Sequence, residues 1–239
     1  MSILVGGCIC NRANELASTP DLKNLHAFAD SFQIDRNKTE AAIREFTAAP
    51  HPFGSERQAA VRDYIEGISK SSSQQVFLQT FTSATPNPSM IGEMNPQGPR
   101  EITIEKSGTN IYALAGIVKE PTCVILLGSH YDTKIVPGID YVGANDSASS
   151  SVLLLDLLRH LHQGRTKVED LTCDLMMVWF DGEEAVLENW NDGEHRHPAR
   201  IIDNTYGSRY ATSQLTMCGE RPSGAKANRC LPKELGGQK

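Results

Sequence analysis

A mixed, mostly parallel α/β sheet flanked by helices is the fold class the sequence predicts, and three observations predict it. Two short continuous apolar runs, residues 123–127 and 175–180, have the character of strands buried on both faces. Between them, residues 147–161 place Val152, Leu154, Leu155, Leu158 and Leu161 at helical spacing. Upstream, residues 75–83 alternate, with Val76, Leu78 and Thr80 on one face. Strand, helix, strand at these lengths is a βαβ unit in a mixed or parallel sheet.

The remaining elements follow in chain order. From about Asp35 to Ser69 the apolar positions Ala42, Ile43, Phe46, Ala60, Val61, Tyr64, Ile65 and Ile68 recur at helical spacing. Pro50-His51-Pro52-Phe53-Gly54 divides this stretch into two helices. Ser55 with Gln58 three residues later is a capping box for the second, and the serines before Gln74 end it. After the strand at 75–83 comes a Pro/Gly/Asn-rich loop over 85–100, then two further strands, 101–105 and 110–118. A chain of 239 residues suffices for one domain with a real core. With 39% hydrophobic and 22% charged residues, it is neither disordered nor collagenous nor a coiled coil. No apolar run approaches the roughly 20 residues needed to cross a bilayer. A net charge of -6 leaves no basic footprint for nucleic acid. The charge is uneven: residues 212–239 carry a net +3, which leaves -9 on residues 1–211.

Six cysteines, Cys8, Cys10, Cys123, Cys173, Cys218 and Cys230, form no CxxC pair and announce no disulfide framework. Cys123 and Cys173 read as buried thiols at strand edges. Small residues before Cys8 resemble the end of a bacterial lipoprotein signal, although no basic residue precedes Cys8 and the apolar run is short. The chain reads as beginning inside such a signal or at an ordinary terminus. Export (periplasmic, lipid-anchored or secreted) is favoured, with the cytoplasm as the alternative.

In open α/β sheets ligands bind beyond the carboxyl ends of the strands. There the sequence sets Gly128-Ser129-His130-Tyr131-Asp132-Thr133-Lys134 after the first buried run and Asp181-Gly182-Glu183-Glu184-Ala185 after the second. Gly143-Ala144-Asn145-Asp146 opens the helix between them. Taken singly, Asp146 reads as an N-cap, the glutamate pair as a solvated face and His130 as a core histidine. Their coincidence at one sheet edge, where charge has no packing role, points to a divalent metal, zinc above all. Of two adjacent glutamates, one can ligate while the other stays free as a general base. Ser147-Ala148-Ser149-Ser150-Ser151 is no nucleophile elbow, and HExxH, Walker A and GxGxxG motifs are absent. His195 and His197 lie in a polar segment and read as exposed.

These motifs, followed by Tyr206-Gly207-Ser208-Arg209, resemble the glutaminyl-peptide cyclotransferase family and, less strictly, the related zinc aminopeptidases. His51-Pro52-Phe53-Gly54-Ser55 and Thr109-Asn110-Ile111 also match, so the resemblance covers roughly residues 40–211. The lysine of the His130–Lys134 motif, a single Asp in Gly143-Ala144-Asn145-Asp146 and the polar insertion after Glu184 favour the cyclotransferase branch. The resemblance implies a zinc exopeptidase-like fold and peptide or protein N-termini as substrates, with no transmembrane span. It implies Asp146 and Glu184 as zinc ligands and Glu183 as general acid/base. Trp190 would line the substrate entrance, although it sits one position further from the glutamates than the family's tryptophan. In the two-zinc aminopeptidase reading His130 ligates a second metal, Asp146 bridges both, and Asp132 orients His130.

The family pattern continues past Tyr206-Gly207-Ser208-Arg209 with a strand ending in an acidic residue and, later, a zinc-binding histidine. This sequence has no histidine after His197, and residues 212–239 show no strand or helix period. The expected organisation is therefore an N-terminal segment, 1–34, an incomplete exopeptidase-like domain, 35–211, and an aberrant basic tail, 212–239. The C-terminal part of the fold would be missing. A catalytically dead fragment stands beside the cyclase and aminopeptidase readings.

Overall fold

The computed structural model describes residues 4–5, 32, 34–73, 75–90, 103–116, 123–163, 173–187 and 202–216. Most of the expected N-terminal segment, Trp190, His195, His197 and residues 217–239 lie outside the described residues, as do the side chains of Cys123 and Cys173.

Helix α1, Arg36–Phe46, starts where the Asp35 carboxylate accepts the Lys38 N–H at 3.3 Å. It buries Ala42 and Phe46. The proline pair then breaks the chain, and α2, Glu56–Ser72, follows. Ser55 Oγ accepts the Gln58 N–H at 3.1 Å, and Gln58 Oε1 reaches back to the Gly54 N–H at 3.0 Å. The cap thus closes one residue earlier than in a standard capping box, where the N3 side chain returns to the N-cap itself.

Five strands form one sheet. They are β1 (Leu4–Val5), β2 (Gln75–Pro86), β3 (Thr103–Gly116), β4 (Cys123–His130) and β5 (Cys173–Phe180), in the order β1-β4-β5-β3-β2. The two strands expected over 101–118 are one. Register with β2 runs unbroken from Pro86↔Thr103 to Gln75↔Leu114, so Lys106, Ser107 and Gly108 keep pairing despite their turn-like composition. The sheet is mixed, as expected, but its balance differs. Among the described residues only β4/β5 is parallel, because only that pair is joined by a helical crossover; β2 and β3 are consecutive and fold back on each other.

The crossover helix α3, Ser149–His162, buries Val152, Leu155, Leu158 and Leu161. With α1 and α2 it covers one sheet face, packing on Ile111, Ala113, Met177 and Trp179. Tyr112, Leu114, Met176 and Val178 alternate with these and form a second cluster on the opposite face. The last described element, α4 (Tyr206–Thr216), continues through the expected boundary at Ala211. Tyr206 stacks on Phe53 at 5.5 Å and Tyr210 on Phe81 at 5.5 Å, which fastens α4 to the segment before α2 and to β2. No described helix is long and apolar enough to cross a membrane.

Candidate active site

The parallel register sets His130 beside Phe180, so β4 and β5 end together and release their polar motifs at one edge. His130 is the last residue of β4. Asp146 comes from a tight turn, Ala144–Ala148, entered through Gly143 at φ 62°. A side chain at Gly143 would meet the Asp146 carbonyl at 2.6 Å, so the turn requires glycine. Asp146 has φ -126° and ψ 87° and caps nothing; the N-cap alternative does not hold, and its half-exposed carboxylate faces the site instead. The Asp146–Ser147 peptide is cis.

His130 Nε2 lies 3.1 Å from Asp146 Oδ1. Ligand atoms of His130, Asp146 and Glu184 all fall within 4.8 Å of one another. Behind them stands Asp132, 1% exposed. Its Oδ1 is 3.4 Å from His130 Nδ1, and its two oxygens accept the N–H groups of Glu183 (2.9 Å) and Glu184 (3.0 Å). A single buried carboxylate therefore orients both the histidine and the loop bearing the glutamate pair. One imidazole nitrogen and two carboxylates form a donor set that suits a zinc-like cation. The electrostatics agree. Burial disfavours a charged His130, yet the Asp132 and Asp146 carboxylates outweigh it and push the imidazole up to about 10. A site that holds a proton this firmly is one where positive charge is strongly favoured.

Glu183 is 8% exposed and is held by hydrogen bonds. Its Oε1 accepts the Ser208 N–H and its Oε2 the Ser208 hydroxyl, both at 2.8 Å. Burial pushes its carboxyl up to about 7 against the pull of these donors. Ser208 can stand so close because Gly207 precedes it: a Cβ there would fall 2.3 Å from the Asp181 carbonyl and 2.4 Å from Asn110 Oδ1. The Thr205 and Tyr206 N–H groups bond the Glu183 and Gly182 carbonyls at 2.9 and 2.7 Å, so the start of α4 is fixed to the Glu183 loop.

Several supporting residues escaped the sequence reading. Asp203 accepts the Val186 and Leu187 N–H groups and the Tyr206 hydroxyl. Its only signal was an acidic residue three positions before Tyr206. Lys134, read as a branch marker, sends Nζ to the carbonyls of Ala185 (3.4 Å) and Leu187 (3.2 Å) and holds the same loop. Asp181 is buried among Gln58, Thr109 and Tyr131. It accepts from Gln58 and from the Thr109 N–H, and Tyr131 Oη lies 2.8 Å from it.

Strand ends joined by a crossover, a buried aspartate behind a histidine and an adjacent glutamate pair thus meet at one edge of an α/β sheet. Residues 110–217 match Peptidase family M28. The chain is 36% identical over 78 residues to a glutaminyl-peptide cyclotransferase of Drosophila melanogaster, covering 33% of this chain and 22% of that one. It is 28% identical over 167 residues to a glutaminyl-peptide cyclotransferase-like protein of Bos taurus, covering 64% and 37%. In structure it resembles the glutaminyl cyclase of Macrostomum lignano, with a TM-score of 0.58 at 22% identity over 87% of this chain and 54% of that one. It also resembles a leucine aminopeptidase precursor of Bacteroides thetaiotaomicron, at 0.51 and 15% over 74% and 56%. The likeness to the M28 family thus lies in residues 110–217, and glutaminyl-peptide cyclotransferases are among the proteins the chain resembles in sequence. It spans about half the length of the solved relatives and less of the curated ones.

Proposed function

We propose that the chain carries the active site of a zinc-dependent glutaminyl-peptide cyclotransferase, which converts an N-terminal glutamine to pyroglutamate with release of ammonia. The convergence of His130, Asp146 and Glu184 within 4.8 Å, with Glu183 next in the chain, carries this reading. His130, Asp146 and Glu184 would hold the zinc. Bound there, zinc supplies Lewis acidity toward the γ-amide carbonyl. Glu183 takes a proton from the α-amine as the nitrogen–carbonyl bond forms. It returns that proton to the departing amide nitrogen, which leaves as ammonia. A carboxyl pushed up to about 7 suits both halves of this transfer at neutral pH. Each oxygen held by Ser208 keeps a lone pair for the proton.

One observation favours a second reading. His130 bonds Asp146 directly, and the family resemblance links that pairing to two-zinc aminopeptidases. There Glu183 would take a proton from a water attacking the first peptide bond.

Assays of the full chain on Gln-peptides and on aminoacyl chromogenic substrates, with zinc content measured, separate the readings. Ammonia release without cleavage supports the cyclase, and cleavage supports the peptidase. A zinc-free chain with no turnover removes both and leaves the inactive fragment. Glu183→Gln is expected to lose turnover by about 100-fold or more while keeping its zinc. Undiminished turnover in that variant would falsify the role given to Glu183.

A further inference from the structure

The serine run that failed as a nucleophile elbow sits directly behind the ligand candidates. Ser147 Oγ and Ser151 Oγ both donate to the His130 carbonyl, Ser151 across 2.6 Å. Ser151 Oγ is also 3.0 Å from Ser129 Oγ, which lies 2.8 Å from Ser150 Oγ. Ser150 Oγ in turn donates to the Ser147 carbonyl at 3.1 Å. Ser129, Ser147 and Ser151 are buried, and Trp179 Nε1 fixes the Ser151 carbonyl at 3.1 Å. Buried hydroxyls are tolerated only when bonded, and these bond each other and one carbonyl. A carbonyl oxygen has two lone pairs, so the two nearer hydroxyls occupy them and fix the peptide plane, with Ser129 Oγ farther away at 3.4 Å. That plane belongs to His130, while one of the two donors follows Asp146 in the chain. The network thus ties the end of β4 to the Asp146 turn.

We propose that Ser147 and Ser151 are positioning residues, a two-hydroxyl clamp on the His130 carbonyl that holds His130 and Asp146 at metal-binding separation. The inference rests on the reading of these two as metal ligands.

The test uses the full chain stripped of metal. Zinc affinity is measured by competition with a chromophoric chelator, and the cobalt(II) absorption spectrum reports the ligand geometry. Ser147→Ala and Ser151→Ala are each expected to weaken zinc binding about tenfold, as loss of an outer partner of a metal ligand does, and to shift the cobalt bands. Ser147→Thr, which keeps the hydroxyl, should restore both. Ser71→Ala, at the exposed end of α2 and outside this network, should bind as wild type does. Affinity is read on folded protein, verified by unfolding of the metal-free form, so lost stability does not register as lost affinity. Because both serines act on the same carbonyl, either alanine variant decides if the other fails to fold. Wild-type affinity with an unshifted cobalt spectrum would overturn the clamp. Absence of zinc binding in the wild-type chain would overturn the metal reading and the clamp with it.

Discussion

Asp181 shows how far a residue's meaning depends on what surrounds it. In the sequence it only opens the acidic motif that carries Glu183 and Glu184. In the fold it turns inward, where burial and the nearby charge of Asp132 push its carboxyl up to about 8. Tyr131 Oη lies 2.8 Å from both Asp181 Oδ2 and the Thr109 carbonyl, yet it has one proton to give. A protonated Asp181 satisfies both contacts. The unfolded chain would ionise Asp181 near 3.8, while the folded chain keeps its proton to about 8. Its contribution to stability is therefore complete below about pH 4 and is lost as pH rises toward 8. Urea unfolding of the metal-free chain between pH 5 and 8 should show stability falling with pH, and Asp181→Asn should flatten that slope. An unchanged slope in the variant would mean that Asp181 does not titrate in this range.

At the scale of elements, α4 is the piece whose importance is least apparent from its composition. Its N-terminus meets the Glu183 loop through three backbone N–H groups and one hydroxyl. That approach depends on Gly207, whose missing side chain leaves room for the Asp181 backbone and the Asn110 amide. Gly207→Ala should cost about 1–3 kcal/mol in urea unfolding, by forcing α4 away from the loop. It should lower turnover as well, because Ser208 moves with the helix. Stability equal to wild type would show that α4 is not seated as described. The helix start at Ser55 was legible in the sequence because capping is local chemistry, whereas the helix from about Asp35 was read from apolar spacing and its cap appears only in the structure. The continuity of β3 was not. Lys106, Ser107 and Gly108 look like a turn alone, and only an unbroken partner strand keeps them extended.

For the whole molecule, the site is an assembly of three strand-end or helix-start segments held by buried carboxylates. Binding of a cation to the folded form alone must stabilise it. Zinc added to the metal-free chain at 100 times its dissociation constant should raise unfolding free energy by about 2.7 kcal/mol, seen as a higher Tm. Asp146→Asn should abolish the rise, and a rise of equal size in that variant would exclude Asp146 as a ligand. The sequence by itself determined α1, α2, α3, β2, β4 and β5 and which motifs fall at strand ends, because hydropathic period and caps are written locally; β1, the single β3 and α4 it did not. It also determined that His130, Asp146, Glu183 and Glu184 share one edge, since a parallel pair joined by a helix brings both strand ends together. Only the tertiary structure decided that Asp132 serves both His130 and the glutamates, that Ser208 holds Glu183, and that Asp181 and Asp203 are supports. Those roles are set by contacts between residues up to 123 positions apart, as between Gln58 and Asp181, and by which way each buried carboxylate faces. No periodicity in the chain encodes that direction.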